Sequence, residues 1–141
     1  MFTGNYERTL DGKGRLVLPP KHRTRLPEGG FLVPLGGCLR LYPADEFQRL
    51  LDRMTEQARS GEVREAAVLA ISSSAEEVEP DAQGRIGLPP RLRNKAEMTN
   101  NEVVVVGNVG HVQIWSAAKW SAMVDDLEAQ AEEAHLSGKT I

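Results

Sequence analysis

Hydrophobic and polar positions alternate in two short segments of the chain, a pattern typical of strands with one buried face. Between positions 15 and 18, two leucines fall on one face while Arg15 and Val17 fall on the other. Positions 85 to 88 repeat this alternation, and Pro-Pro follows both segments. A proline pair stops a strand and suits the first turn of a helix. The pattern therefore predicts that each strand leads into a short helix, at 21–26 and at 91–96.

The remaining pattern predicts paired strands and longer helices in both halves of the chain. Strand pairs separated by glycines are predicted at 31–34 with 39–42, and at 102–106 with 111–115. Apolar residues at helical spacing predict a helical pair within 47–72 and a last helix over 117–135.

The two halves are related by an internal duplication. Segment 11–23 aligns with 81–93 at an offset of 70 positions, and segment 39–47 aligns with 112–120 at an offset of 73. The second alignment matches Trp115 and Trp120 with Tyr42 and Phe47, and we expect both tryptophans in the core.

The elements predict an α+β protein with a mostly-β core of two tandem units and flanking helices. We divide the chain into a first repeat at 5–48, a helical linker at 49–76, a second repeat at 77–120, and a C-terminal helix and tail at 121–141.

Each repeat carries an Asp-x-x-Gly turn, at Asp11 to Gly14 and at Asp81 to Gly84. Aspartate can accept a backbone N–H two residues on, and glycine tolerates a positive φ, so a structural role suffices for both carboxylates. An enzyme that uses the two aspartates as an acid/base pair stays an alternative, to be tested by whether they converge in one pocket. Lys13 follows glycine, but the next residue is Gly14 rather than the Ser or Thr of a phosphate loop.

Composition excludes several other kinds of site. The 141 residues include one cysteine, Cys38, which allows neither an internal disulfide nor a thiolate metal site, and we expect it to be buried. The three histidines lack metal-ligand spacing. We predict no cofactor, no metal and no small-molecule substrate. Without a spanning apolar run or a signal-like start, a cytoplasmic location with no membrane partner is expected.

Charge is unevenly distributed along the chain, although the net charge is only −3. Between positions 8 and 25, six basic residues against Asp11 give 6 − 1 = +5, and the basic residues are Arg8, Lys13, Arg15, Lys21, Arg23 and Arg25. The segment 81–98 of the second repeat reaches only 4 − 2 = +2. A basic segment on an acidic body suits a protein that offers one face to a polyanion, and it also suits an ordinary solvated surface.

Double-stranded DNA is the partner that this arrangement favours. Arg15 lies on the polar face of a strand just past a tight turn, and a two-stranded ribbon fits the major groove, where arginine can bond bidentately to guanine. Lys13 sits at the turn, and phosphate contacts are expected from Lys21, Arg23 and Arg25. The structural alternative is that Arg15 pairs with Asp11 or Glu7.

The second repeat is less suited to DNA. Gln83 stands where the first repeat has Lys13, which removes one positive charge from the turn. Arg85 and Arg91 keep the basic positions of the motif. Pairing of Arg85 with Asp81 or with the acids at 76–79 is as good an interpretation as DNA contact.

Several short motifs are spread over nearly the whole chain: Phe2-x-Gly4, two Asp-x-x-x-Arg motifs (11–15 and 81–85), the Gly-Arg-Leu/Ile-x-Leu-Pro strands, and Leu41-Tyr42-Pro43, Val105-Val106-Gly107 and Ile114-Trp115. These motifs give the sequence a resemblance to the MraZ family of transcriptional regulators. It implies two fused swapped-hairpin units of the AbrB-like, double-psi-barrel-related fold. It also implies ring-shaped homo-oligomers that act on repeats upstream of their own operon, the division and cell-wall gene cluster, with a nucleoid-associated location. The family's DNA-contacting positions fall on Asp11, Lys13 and Arg15.

A ring of subunits also predicts the form of the DNA site. Neighbours related by rotation would read successive similar sites in one direction, so direct repeats are expected. Two other classes of protein stay open. A protein-interaction scaffold with the same fold would ignore DNA, and an antitoxin-like DNA binder would combine one hairpin unit with a toxin-binding tail.

Overall fold

The computed structural model describes residues 1–139, so positions 140 and 141 of the predicted tail lie outside the described residues. The strands are β1 Asn5–Thr9, β2 Arg15–Val17, β3 Gly30–Leu35, β4 Cys38–Pro43, β5 Glu76–Val78, β6 Arg85–Gly87, β7 Glu102–Asn108 and β8 His111–Ser116. The helices are α1 Pro20–Arg23, α2 Ala44–Arg59, α3 Glu65–Ser74, α4 Pro90–Lys95 and α5 Ala117–Leu136.

These elements confirm the predicted α+β class and the predicted strand pairs and helical pair. The two short helices differ at their ends from the prediction. Each begins at the second proline of its Pro-Pro pair, because proline is preorganised for the first helical turn. The first helix already ends at Arg23, and turns that bond Arg25 to His22 and Leu26 to Arg23 continue the chain.

The strands of the two repeats are exchanged. One sheet has the order β1-β7-β8-β4-β3-β5, in which β1 of the first repeat pairs with β7 of the second, and β5 of the second pairs with β3 of the first. The other sheet is an antiparallel ribbon of β2 and β6. Matching positions face each other where the repeats meet, Leu16 with Ile86 and Arg40 with Gln113. The chain is therefore a pseudo-two-fold swapped-hairpin structure.

The main core lies between the ribbon and the larger sheet. The inward positions of the ribbon, Leu16, Leu18, Ile86 and Leu88, are all buried, as their alternation predicted. Leu92 of α4 and alternate residues of the central strands complete the cluster. Because the inward residues come from both repeats, neither repeat has this core to itself.

The opposite face of the sheet is covered unequally. In the first repeat, α2 and α3 pack over Val33 and Tyr42 of the sheet and contribute Phe47 and Ile71 to the same buried cluster. In the second repeat, α5 lies on β7 and β8, and among residues 1–139 it has no helical partner comparable to α3. The prediction that Trp115 and Trp120 are core residues is wrong, because Trp115 on β8 and Trp120 on α5 itself are only half-buried.

Cys38 is buried, as predicted, and burial raises the pKa of its thiol to about 11. A thiol with such a pKa is a weak nucleophile at neutral pH. Over residues 1–139, none of the helices combines the length and the apolar character needed to cross a membrane.

Candidate nucleic-acid interface

The outer face of the β2–β6 ribbon carries the two arginines of the motifs. Arg15 lies opposite Gly87, and Arg85 lies opposite Val17, so the exchange brings one arginine from each repeat onto one surface. Val17 between them is 46% exposed although it is apolar. Positions 15, 17, 85 and 87 all point away from the core, because the alternate residues are buried.

Asp11 holds the first loop and its arginine. One carboxylate oxygen accepts hydrogen bonds from the backbone N–H groups of Arg15 and Lys13, both at 2.9 Å. The other oxygen accepts from Arg15 Nε at 2.6 Å. These bonds, the Arg15 backbone N–H first among them, lower the pKa of the Asp11 carboxyl to about 2. The carboxylate is therefore ionised at neutral pH and serves as the fixed acceptor of the loop.

Asp81 repeats this geometry in the second loop. Its oxygens accept from the backbone N–H groups of Gln83 and Arg85 at 2.9 Å and from Arg85 Nε at 2.8 Å. The Arg85 backbone hydrogen bond is the main cause that lowers the Asp81 pKa. Each carboxylate is engaged by its own loop, and a lowered pKa makes it a poor general base, so this geometry does not support an acid/base pair.

The ion pair with aspartate uses only one of the three nitrogens of each guanidinium group. Only Nε of Arg15 and of Arg85 bonds to the aspartate. Over the described part of the chain, the two terminal nitrogens of each guanidinium have no hydrogen-bond partner. The predicted ion pair of Arg15 with Asp11 thus exists, and it fixes the direction of the side chain without covering its bidentate edge.

The glycine of each loop also contacts residues of the other repeat. The backbone N–H of Leu18 donates to Gly84 at 2.9 Å, and that of Leu88 donates to Gly14 at 3.0 Å. Arg23 packs against Gly84, and Arg93 packs against Gly14 in the same way. The structure therefore places Arg23, a predicted phosphate contact, half-buried beneath the opposite loop.

A second basic group surrounds Tyr6 on β1. The Arg8 guanidinium lies 5.6 Å from the Tyr6 ring centre, and the Lys21 ammonium lies 5.3 Å from it. Arg8 Nε also donates to the carbonyl of Val17 at 3.2 Å, which ties this group to the edge of the ribbon. The sequence did not indicate Tyr6 as part of the site, because a single aromatic residue in a strand does not show which basic side chains lie beside it.

The other predicted basic residues are spread over the molecule. Lys13 lines a cleft of about 410 Å³ whose walls include Glu77 and Glu79. Arg25 and Asp45, which lies at the start of α2, line another cavity. The residues that line this cavity do not include any residue of the ribbon strands β2 and β6. Arg91 lies 3.8 Å from Glu76 and donates to the Ser74 carbonyl at 3.5 Å.

Strand exchange explains this distribution. The basic segment of the first repeat is continuous in sequence, but its partner strands come from the second repeat, so acids of β5 lie beside the Lys13 loop. Arg85 instead lies across the ribbon from Val17, whose carbonyl is bonded by Arg8. No cluster of three or more metal-ligand side chains occurs among residues 1–139.

The exchanged strands and the two aspartate-held loops define a duplicated swapped-hairpin protein that presents paired arginines on a ribbon. A family model described as "MraZ protein, putative antitoxin-like" matches the chain twice, over residues 1–69 and 71–138. The chain belongs to the MraZ family.

Curated relatives extend over nearly the whole chain. A protein named transcriptional regulator MraZ from Saccharopolyspora erythraea is 37% identical, with 98% of this chain and 99% of the relative covered. Relatives of the same name from Halothermothrix orenii (35% identical, 94% and 93% covered) and Corynebacterium diphtheriae (39% identical, 92% and 90% covered) are similar to the same extent.

Proposed function

We propose that this chain is a transcriptional regulator that binds DNA through the outer face of the β2–β6 ribbon. The observation that carries the proposal is the pair of arginines, Arg15 and Arg85. Each is fixed by its aspartate through Nε, and its terminal nitrogens bond to no other residue within 1–139. Relatives that match this chain over nearly their full length are named transcriptional regulators, and this supports the same role.

Base recognition is assigned to the ribbon itself. A two-stranded ribbon fits the width of the major groove, and a guanidinium held in one direction can donate two parallel hydrogen bonds to O6 and N7 of guanine. Val17 between the arginines offers an exposed apolar contact of the kind that suits a thymine methyl group. Asp11 contributes by orienting Arg15, and Lys13 at the turn adds positive charge.

In this proposal, the affinity for DNA comes from contacts with phosphates and from the assembly of several subunits. Arg8 and Lys21 flank Tyr6 at the ribbon edge and are placed to meet the DNA backbone. A single ribbon on a chain of net charge −3 would bind weakly. In the proposed ring, several ribbons bind together at high effective concentration, and rotation-related neighbours read direct repeats upstream of the chain's own operon.

The proposal is tested by titrating the protein onto fluorescent DNA from upstream of its own gene, with scrambled DNA alongside, at two salt concentrations. Each engaged subunit is expected to add about −1 to −2 to the slope of log K against log salt. Arg15→Ala should weaken binding of the upstream DNA about 10- to 100-fold, the range expected for one bidentate base contact.

Arg49→Ala is the matched control. Arg49 is an exposed arginine of α2 that forms ion pairs with Glu46 and Asp45 of the same helix. It lies outside the ribbon, so its loss should leave binding unchanged. Equal binding of both DNA fragments, or equal effects of the two variants, would contradict sequence reading by the ribbon and would favour the scaffold interpretation.

A further inference from the structure

A row of polar side chains crosses the middle of the large sheet on the face that lies opposite the ribbon. Residues 39 and 41 of β4 and residues 112 and 114 of β8 belong to the main core, so the alternate residues of both strands point to the other face. On that face α2 lies over β4 and α5 lies over β8. The register of the two strands sets Arg40 beside Gln113, and these two residues occupy matching positions of the two repeats.

The second repeat fills this row with neutral groups that bond to one another. The indole N–H of Trp115 donates to Oε1 of Gln113 at 2.8 Å. This bond orients the amide, so Nε2 of Gln113 donates to Nε2 of His111, which lies 3.1 Å away. A neutral histidine that accepts at Nε2 carries its proton on Nδ1. His111 therefore offers a donor, and among residues 1–139 this donor has no hydrogen-bond acceptor.

The first repeat places a cation in the same row without a counter-ion. Arg40 is half-buried, and its Nε is buried with no hydrogen-bond partner within residues 1–139. Its Nη1 donates to the Tyr42 hydroxyl at 3.4 Å, which is a long bond to a neutral group. In this part of the chain, none of the ion pairs includes Arg40. A charge that is removed from water without a partner costs free energy.

The two side chains beside Arg40 add donors to the row. The Tyr42 hydroxyl accepts from Arg40 and keeps its own proton to donate. The His111 ring stacks on the Tyr42 ring, with 4.9 Å between the ring centres. Burial and, to a smaller extent, the charge of Arg40 lower the pKa of His111, so its imidazole is neutral at pH 7.

A second cation lies at the margin of the row. The turn between β3 and β4 consists of Gly36 and Gly37, and a Cβ added to Gly36 would lie 3.2 Å from Nη2 of Arg40. Nζ of Lys119 donates to the carbonyl of Gly37 at 3.0 Å. Lys119 also pairs with Glu97 at 3.4 Å, but Glu97 is largely exposed. The charge of Arg40 therefore stays uncompensated by the described chain.

We propose that Arg40, Tyr42 and His111 form a binding site for one oxyanion group, a carboxylate or a phosphate, of a small molecule. An ionised oxyanion only accepts hydrogen bonds, so it supplies what the guanidinium, the hydroxyl and the imidazole N–H lack. The ligand is a small anion rather than DNA, because the main core separates this face from the ribbon and helices flank it on both sides. The inference goes beyond the proposed function and does not depend on it.

The second repeat indicates the matched variant for the test. Gln113 stands at the position that corresponds to Arg40, so the fold accepts glutamine there. Arg40→Gln removes the charge and keeps a polar side chain of similar length. Tyr42→Phe removes only the hydroxyl and keeps the buried ring. Arg53→Gln is the control, since Arg53 is an exposed arginine of α2 outside the row.

Equilibrium dialysis measures the binding of labelled inorganic phosphate and, separately, of labelled acetate to the 141-residue protein without DNA. Chloride keeps the ionic strength constant. Wild type and Arg53→Gln should bind one anion per chain with a dissociation constant of about 1 mM, as two charge-assisted hydrogen bonds would give. Arg40→Gln should weaken this binding about tenfold or more, and Tyr42→Phe about threefold, with unchanged circular dichroism.

The two anions also identify the chemistry of the ligand. Binding of phosphate alone assigns the site to a phosphate ester, and binding of acetate alone assigns it to a carboxylate. Absence of saturable binding of either anion to wild type overturns the proposal. Equal losses in Arg40→Gln and Arg53→Gln overturn it as well, because they indicate general attraction to positive charge. Binding that Arg15→Ala removes and Arg40→Gln retains would place the anion on the ribbon and would also overturn it.

Discussion

At the scale of single residues, an aspartate orients an arginine side chain through a hydrogen bond. A free arginine loses side-chain entropy when it binds, and a partner that fixes it beforehand reduces that cost. Asp11 achieves this with one oxygen on two backbone N–H groups and the other on Nε of Arg15. The same carboxylate therefore shapes the turn and directs the side chain.

Asp11→Asn should separate these two roles. The amide oxygen can still accept the backbone hydrogen bonds, but an NH₂ group would replace the oxygen that faces Arg15 Nε. Loss of one charge-assisted hydrogen bond predicts binding to upstream DNA that is weaker by about tenfold or more, with a folded protein. Anisotropy titration measures the effect, and an unchanged affinity would show that the orientation of Arg15 does not depend on Asp11.

His22 predicts a pH dependence of stability. It is buried between the rings of Phe2 and Tyr6, and its Nε2 lies 3.2 Å from the Thr3 carbonyl. Burial lowers its pKa below the ordinary 6.5, and the nearby charges of Lys21, Arg25 and Arg8 act in the same direction. Below pH 6.5 the unfolded chain binds a proton that the folded chain does not, so the free energy of unfolding should fall as the pH decreases.

The second repeat indicates a variant that tests whether His22 causes this pH dependence of stability. Leu92 is buried at the position that corresponds to His22, so the fold accepts leucine there. His22→Leu should reduce the difference in urea midpoint between pH 7 and pH 5. A difference as large as that of wild type would place the pH dependence elsewhere.

At the scale of elements, periodicity predicted what each segment buries but not which segment it pairs with. Alternation in 15–18 and 85–88 identified Leu16, Leu18, Ile86 and Leu88 as inward positions, and all four are buried. The pairing of β2 with β6 came only from the family resemblance, because alternation fixes the face of a strand and not its neighbour.

The loop glycines give a prediction at this scale. Gly14 has a φ of +72°, and an added Cβ would lie 2.9 Å from Cζ of Arg93. Gly14→Ala should lower the free energy of unfolding by about 1–3 kcal/mol, because it adds backbone strain and displaces Arg93. Gly12→Ala is the control, since Gly12 has open space and no positive φ. Equal urea midpoints for the two variants would contradict the interlocked loops.

At the scale of the whole molecule, duplication explains both the symmetry and the exceptions to it. Trp115 and Trp120 were expected in the core because they align with the aromatic residues Tyr42 and Phe47. Among residues 1–139 only the first repeat has a helix like α3 over this face of the sheet, and the alignment of the repeats does not show that helix. The scatter of the basic residues has a similar cause. A sum of charges along the chain cannot show that exchange sets Lys13 beside the acids of β5.

Strand exchange predicts that half of the chain cannot fold as a monomer. A chain cut after Ser74 keeps β1 and β2 but loses their partners β7 and β6. It should be unfolded when dilute and, when folded, a dimer whose two copies exchange strands. Circular dichroism with sedimentation measures both properties, and a folded monomer of this fragment would contradict the observed pairing.

Base reading by the ribbon is tested by replacing Arg15 with lysine and measuring the ratio of affinities for upstream and scrambled DNA. Lysine keeps the positive charge but cannot bond bidentately to guanine. If the ribbon reads bases through an aspartate-held guanidinium, Arg15→Lys retains binding to scrambled DNA while the preference for upstream DNA falls about 10- to 100-fold. If the preference of Arg15→Lys equals that of wild type, Arg15 contributes only positive charge and the ribbon does not read bases through it.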